Sequence, residues 1–370
     1  MTHDVDSHEQ GHGREAKSLK YELRARAFFK AIPLTVHLEL TKRCNLRCIH
    51  CYVAGRRDEL TAERLAALFD ELAAEGTLGV ALTGGELALR EDWLDIARAA
   101  RRSGMIISMQ TNGTLLDDDD VLAIADLKPA SVAVSLYGGT AAAHDAVTGV
   151  DGSFERTVAT IRGLTAAGVR VGIGSVLMHE TLDEYRQIID LANEMDCAFT
   201  FDPTVAPRTD GAGDVLEHRA GIEQLKRFYL DETMMADTRE GRLAMRPDEP
   251  PQRTAVNCTA GFTTAFIDAG GDVYPCIGFL PAFGNLCETP FREVWRGEVA
   301  QAHRRAMARP LEQCNACDLV DYCVNRCARL AAVEDGDLSG PSTRACELAV
   351  LARDIRETYR CRTACPAERE

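Results

Sequence analysis

The run Leu34-Thr35-Val36-His37-Leu38-Glu39-Leu40-Thr41-Lys42-Arg43-Cys44-Asn45-Leu46-Arg47-Cys48-Ile49-His50-Cys51 joins two signals. Leu34, Val36, Leu38 and Leu40 alternate with polar residues, the period of a strand with one buried face. Directly behind it, Cys44-x3-Cys48-x2-Cys51 sets three thiols on one loop. Three thiolates can hold three irons of a [4Fe–4S] cube, which leaves the fourth iron open to a substrate or cofactor. Zinc is the competing metal. Structural zinc sites complete four ligands, however, and within the loop only His50 offers a fourth, so the triplet is read as an iron–sulfur site.

Beyond the loop, strand and helix alternate with short connections, as in a parallel sheet covered by helices. Leu65, Leu68, Phe69 and Leu72 fall at helical spacing behind Thr61, a candidate N-cap, and Gly76 closes the helix. Further strands are expected at Leu78–Thr83, Met105–Thr111, Ser131–Leu136, Val169–Met178 and Ala198–Asp202, with helices near 92–102, 117–127, 153–167 and 181–195. Six strand–helix units fill about 170 residues, short of the roughly 250 of a closed eight-unit barrel. The expected fold is therefore α/β: an open partial (β/α)6 barrel over 34–203, with a lateral mouth. Residues 1–33 read as a polar tail and leading segment, and 204–255 as a connection with a helix near 221–235. A Cys-rich domain follows at 256–350, then a helix end and tail at 351–370.

A net charge of -15 argues against binding nucleic acid or an anionic membrane, both of which need clustered Lys and Arg. A basic partner suits it better. Met1–Lys17 is too polar for a secretory segment, and no run nears the roughly 20 apolar residues that span a bilayer, so a cytoplasmic protein is expected. Thiols stay reduced there, and fourteen cysteines then point to metal rather than disulfides. His3, His8 and His12 are read as part of a disordered tail rather than a metal site.

The loop Cys44 to Cys51 behind a first strand resembles the signature of the radical S-adenosylmethionine (SAM) superfamily. The resemblance implies that Cys44, Cys48 and Cys51 carry the catalytic [4Fe–4S] cluster and that SAM chelates its open iron. One electron, from a reductant such as flavodoxin or ferredoxin, then splits the sulfonium, and the resulting 5′-deoxyadenosyl radical takes a hydrogen atom from substrate. Gly84-Gly85-Glu86, at the end of strand two, resembles the family's second element. By that resemblance the glycines admit the methionyl end of SAM and Glu86 accepts from its ammonium group, although Leu87 stands where the family often has proline.

Ser135 resembles the family's ribose-contacting position. Asn112 ends strand three as a further cofactor contact, yet Asn112-Gly113 is also ordinary turn chemistry. Asp202, after strand six, would share the same rim. Gly172 and Gly174 in strand five either admit the adenosine or mark a bulge.

Most of the remaining cysteines lie between Cys258 and Cys365, where long apolar runs are few and metal is expected to supply stability. Gly270-Gly271 suggests a hairpin over Thr264–Cys276, and a last helix is expected from Ser342 to about Tyr359. The spacing Cys258-x12-Gly271-x4-Cys276, then Cys314-x2-Cys317-x5-Cys323-x3-Cys327, then Cys346 resembles the SPASM auxiliary-cluster domain. That resemblance implies two auxiliary [4Fe–4S] clusters. Cys314, Cys317, Cys323 and Cys346 would hold one, and Cys258, Cys276 and Cys327 would give three ligands to the other. The fourth ligand of the latter is an open iron site or a thiol from elsewhere, such as Cys287. Zinc sites holding a small domain together are the plain alternative. Cys197 reads as core packing, while Cys361 and Cys365 fall outside the pattern.

SPASM enzymes modify peptides and proteins, so the resemblance implies a peptide or protein substrate and maturation of a ribosomally made peptide. Thioether or carbon–carbon crosslinking suits auxiliary clusters, which take up an electron. Epimerisation needs a thiol that returns a hydrogen atom, with Cys197, Cys287, Cys361 and Cys365 as candidates. In sulfatase-maturing relatives an acidic residue follows the cysteine matched by Cys276, and Ile277 stands there instead. About 33 residues precede the first strand, too few for a leader-binding domain at that end, so a separate leader-recognition protein is expected. The alternatives are a radical SAM dehydrogenase or epimerase of a small metabolite, such as an aminocyclitol or cofactor precursor, and a non-catalytic metal-binding scaffold.

Overall fold

The computed structural model describes residues 21–55, 57–234, 258–309, 311–323 and 327–364, with side chains described as far as residue 358. Six strands, β1 (Thr35–Glu39), β2 (Gly79–Thr83), β3 (Ile106–Thr111), β4 (Ser131–Ser135), β5 (Val171–Val176) and β6 (Ala198–Asp202), pair in parallel. They form an α/β partial barrel. Residues 21–30 are helical (α1), and the intervening helices are α2 (Ala62–Ala74), α3 (Trp93–Arg102), α4 (Asp118–Leu127), α5 (Ala141–Thr148), α6 (Ser153–Ala166) and α7 (Tyr185–Glu194), followed by α8 (Ile222–Tyr229).

Side chains alternate across each strand. Val36, Leu38, Val80, Leu82, Ile107, Met109, Val132, Val134, Phe199 and Phe201 are buried on the helix side, where they meet Leu65, Leu68, Phe69 and Leu72 of α2 and their counterparts. The opposite face carries small or polar residues. Register places Thr83 beside Glu39, Gln110 beside Ala133, Ser135 beside Gly174, and Gly174 beside Thr200. This inner face lines the cavity described below.

Thr61 caps α2 as expected, accepting from Arg64 N. Strand β5 pairs regularly on both sides through Gly172 and Gly174, so neither marks a bulge. Helix α5 was not anticipated. It is eight residues long and Ala-rich, too short for a clear apolar period, and is set by Thr140 accepting from Ala143 N and by Gly149 in the left-handed region at φ 67.

The Cys-rich region joins the sheet. Strand β7 (Thr264–Ile267) runs parallel to β1, and β8 (Asp272–Tyr274) and β9 (Gly284–Asn285) follow antiparallel. The nine-stranded order is β6-β5-β4-β3-β2-β1-β7-β8-β9. The expected hairpin is β7–β8, where Asp268 Oδ1 accepts from Gly270 N and Asp272 N and Gly271 takes φ 87. Helices α9 (Phe291–Arg296), α10 (Glu298–Met307), α11 (Glu312–Asn315), α12 (Ala328–Glu334) and α13 (Thr343–Ala364) complete it. Among the described residues no helix is long and apolar enough to cross a membrane. His3, His8, His12 and Cys365 lie outside the described residues, as does the side chain of Cys361.

Candidate active site

The loop behind β1 is held from both sides. Thr41 Oγ1 donates to Glu59 and accepts from Arg43 N at 3.0 Å, while Arg43 Nε reaches Glu59 at 2.9 Å. At the far end, Arg47 N and Ile49 N donate to Thr148 O and Val147 O at the end of α5, at 2.8 and 3.0 Å. The unanticipated helix is thus what pins the cysteine loop. Cys44, Cys48 and Cys51 all line one cavity of about 1210 Å³ at the carboxyl ends of the strands.

Gly84 and Gly85 line that cavity beside them. A Cβ on Gly84 would stand 2.7 Å from Thr41 O, and one on Gly85 2.3 Å from Arg43 O. Backbone therefore packs on backbone, and no larger residue fits either position.

Glu86 is tied into the fold by its side chain. It does not line the cavity and is 1% exposed. Its Oε1 accepts from Thr111 Oγ1 at 2.8 Å and Ala88 N at 3.2 Å, and its Oε2 from Asn112 N at 2.7 Å. A carboxylate so engaged braces the ends of β2 and β3.

Asn112 ends β3 at a turn and at the cavity. Gly113 follows it at φ 73, as turn chemistry requires, and the asparagine also lines the cavity. Its Nδ2 donates to Asn45 Oδ1 at 3.0 Å and lies 3.8 Å from Cys44 Sγ, while its Oδ1 accepts from Thr114 N at 2.9 Å. Ser135, Gly174, Thr200 and Asp202 continue the lining.

Cys258, Cys276 and Cys327 line the same cavity. Cys276 feels both of the others electrostatically. Cys346 lies near Cys314 and Cys317, and these, with Cys323, do not line the cavity. Cys287 is turned to Gly270 O and Cys197 to Ala192 O, and neither lines the cavity.

Burial pushes the Cys48 thiol up to about 12, with Cys51 and Cys44 adding to the shift, and burial with Cys258 and Cys327 pushes Cys276 up to about 11. Cys44 and Cys276 count as exposed residues and both line the cavity, yet burial still raises the Cys44 thiol. Thiols crowded this way resist ionisation singly, and binding iron reverses that preference. Among the described residues no three of His, Cys, Asp and Glu close on one point as a single ion demands. Three soft thiol donors lining one cavity suit an iron–sulfur core.

Burial also drives His50 down to about 4, and its Nδ1 has no partner, so the imidazole is neutral beside the Tyr137 ring, 4.5 Å between centroids. Burial raises Asp202, whose carboxylate accepts from Thr204 N at 2.8 Å. Tyr52, Tyr137, Arg329 and Arg344 were missed as lining residues. Tyr52 directly follows Cys51 and Arg329 stands two residues after Cys327, a proximity the sequence displays without saying where either side chain points.

A strand-end cavity lined by two sets of three cysteines, one on the loop behind β1 and one from the Cys-rich region, defines an iron–sulfur enzyme of the partial-barrel class. Residues 38–192 match the Radical SAM superfamily, and residues 258–318 match SPASM, an iron–sulfur cluster-binding domain. A PqqA peptide cyclase of Ruegeria pomeroyi is 30% identical over 331 residues, which cover 84% of this chain and 86% of the relative. An AdoMet-dependent heme synthase of Methanosarcina barkeri is 28% identical over 343 residues, covering 82% and 94% respectively. In fold, the crystal structure of Streptococcus suis SuiB bound to precursor peptide SuiA gives a TM-score of 0.70 at 18% identity, over 93% of this chain and 82% of SuiB.

The chain belongs to the radical SAM superfamily and carries a C-terminal SPASM domain. It is a radical SAM enzyme, with a [4Fe–4S] cluster and SAM as cofactors and auxiliary iron–sulfur binding in the SPASM region.

Proposed function

We propose that this enzyme oxidatively modifies a ribosomally made peptide, forming a thioether or carbon–carbon crosslink. One observation carries this reading: Cys44, Cys48 and Cys51 share a single cavity of about 1210 Å³ with Cys258, Cys276 and Cys327. A substrate held there can lose a hydrogen atom at one set and an electron at the other. The peptide cyclase relative and the peptide-bound SuiB structure support a peptide as occupant.

When bound, SAM and its cluster supply a one-electron cleavage that ends in hydrogen-atom abstraction. The chain's own residues hold the parts. Asn112 and the Gly84-Gly85 loop fix the approach to Cys44, and Ser135 and Gly174 line the strand ends where the nucleoside is expected. Asp202 is the one carboxylate lining the cavity among the described residues, and its raised pKa suits it to take the proton that substrate oxidation releases. Among the described residues the two thiols outside the expected ligand sets, Cys197 and Cys287, do not line the cavity, which favours oxidation over epimerisation.

The test is anaerobic incubation of reconstituted enzyme, SAM and reductant with candidate ribosomally made precursor peptides, followed by mass spectrometry. The expected product lacks two hydrogen atoms. A haem precursor is the second reading, favoured by the heme synthase relative whose match covers 94% of that protein. Peptide left intact while a haem precursor is consumed would decide for it.

A further inference from the structure

Arg329 presents a charge without an evident partner. It is 5% exposed, lines the cavity, and is held by two carbonyls: Nε donates to Gly278 O at 2.9 Å and Nη2 to Pro207 O at 2.5 Å. Gly278 sits at φ 61, and a Cβ there would stand 2.5 to 2.8 Å from the guanidinium, so the turn is shaped around this side chain. Cys258, Cys276, Cys327 and Tyr52 line the same cavity, and Cys327 stands two residues before Arg329.

Among the described residues no carboxylate pairs with Arg329, and the nearest acidic group acting on it, Glu334, already pairs with Arg219 at 2.6 Å. The other basic residues at the cavity differ. Lys42 pairs with Asp268, Arg43 with Glu59, Arg208 with Asp214 and Arg344 with Glu347, while Arg47 is exposed to water. An arginine keeps its charge in proteins, and a buried charge needs a compensating one.

We propose that Arg329 is the built-in counter-charge of an iron–sulfur cluster held by Cys258, Cys276 and Cys327, and that it raises the reduction potential of this cluster alone. The proposal rests on reading those three thiols as cluster ligands. Iron–sulfur cores ligated by thiolates are anionic, and one-electron reduction makes them more so. A fixed cation alongside favours the reduced form and moves the potential upward. That makes this centre the better acceptor for an electron leaving the substrate. Arg329 is thereby a positioning residue, acting through the cluster and not on the substrate.

The experiment is an EPR-monitored redox titration of the full, anaerobically reconstituted chain, with iron content measured in parallel. Arg329→Gln is expected to shift one set of signals to more negative potential while the others stay in place, and Arg329→Lys to restore most of the shift. Gly278→Ala, which displaces the guanidinium without removing it, should move the same signals in the same direction. This variant and Arg329→Lys decide the matter should Arg329→Gln lose its iron.

Unchanged potentials in an iron-replete variant would overturn the proposal. So would equal movement of all signals, or a Lys variant that shifts as far as the Gln variant. Cys276→Ala separates the underlying reading: full iron and unchanged signals there would mean that no cluster occupies these thiols. None of these measurements uses a substrate, so the choice between peptide and haem precursor is tested apart from them.

Discussion

Asn112 Nδ2 lies 3.8 Å from Cys44 Sγ, and the backbone N–H of that asparagine is donated to Glu86 Oε2 at 2.7 Å. The Gly-Gly-Glu loop therefore meets the cysteine loop twice, directly through Gly85 N to Thr41 O and Glu86 N to Arg43 O, both at 2.8 Å, and again by way of Asn112 at the end of strand three. Glu86 receives three donors on two buried oxygens. Glutamine in its place would turn an NH2 group toward at least one of them, and an unmet buried donor costs about 1–3 kcal/mol. Glu86→Gln is expected to lower the melting temperature of the reconstituted protein and weaken its hold on iron. An unaltered melt with full iron would leave Glu86 without the bracing role assigned to it.

The glycines of the cavity divide into two kinds. Gly85→Ala would set a methyl group 2.3 Å from Arg43 O, a clash with backbone that cannot swing aside. Overpacking of this sort costs roughly 1–3 kcal/mol or more, and poor folding with loss of iron is expected. Gly174→Ala meets nothing within 4 Å and sits in a regular strand, so stability should hold or rise by about 0.4–1 kcal/mol. Its methyl intrudes on the cavity, and calorimetric titration with SAM is expected to show weaker binding. Affinity equal to the parent's would mean that the nucleoside does not lie against β5.

Much of this was legible because strand periodicity and cysteine spacing are local signals. Leu34 to Leu40 announce both the strand and the face it buries, and the loop behind it carries its chemistry in its spacing. What escaped was tertiary. Helix α5 has no apolar stripe of its own, yet it supplies the two carbonyls that hold the cysteine loop. For Glu86 the sequence names its neighbours in the chain and not Thr111 and Asn112, which donate to it across the sheet. Arg329 and Tyr52 reach the cavity through folding alone. Nor did spacing reveal that β7 would pair beside β1 and continue one sheet into the Cys-rich region.

Glu39, at the end of β1, is buried against Lys42, and burial raises its carboxyl to about 7 from an ordinary 4.5. The unfolded chain releases this proton near 4.5, whereas the folded chain keeps it until about 7. Between those values the folded state binds more protons, so this group's contribution to stability falls as pH rises and is constant above the window. At about 1.4 kcal/mol per unit, the effect is on the order of 3 kcal/mol. Glu39→Gln retains an oxygen for Ala269 N, which donates to Oε2 at 3.3 Å. Urea unfolding between pH 5 and 8 should show a flatter profile for the variant and a gain over the parent at pH 8. Parallel profiles would mean that Glu39 ionises in the fold as it does in water.

Two cysteine variants separate the radical chemistry from the auxiliary chemistry. Cys48 lines the cavity between Cys44 and Cys51, and Cys48→Ala is expected to reduce 5′-deoxyadenosine formation with a strong reductant to background. Cys317 lies outside the cavity, near Cys346, with its sulfur accepting from Leu319 N at 3.4 Å. Cys317→Ala therefore leaves the first thiol loop and the strand-end wall untouched. SAM cleavage should persist within about twofold, a difference worth under half a kcal/mol, while iron falls by one cluster's share and modified product disappears. Normal product from Cys317→Ala would show that the second set of thiols serves folding and takes no electron, and SAM cleavage by Cys48→Ala would move the catalytic cluster away from the loop behind β1.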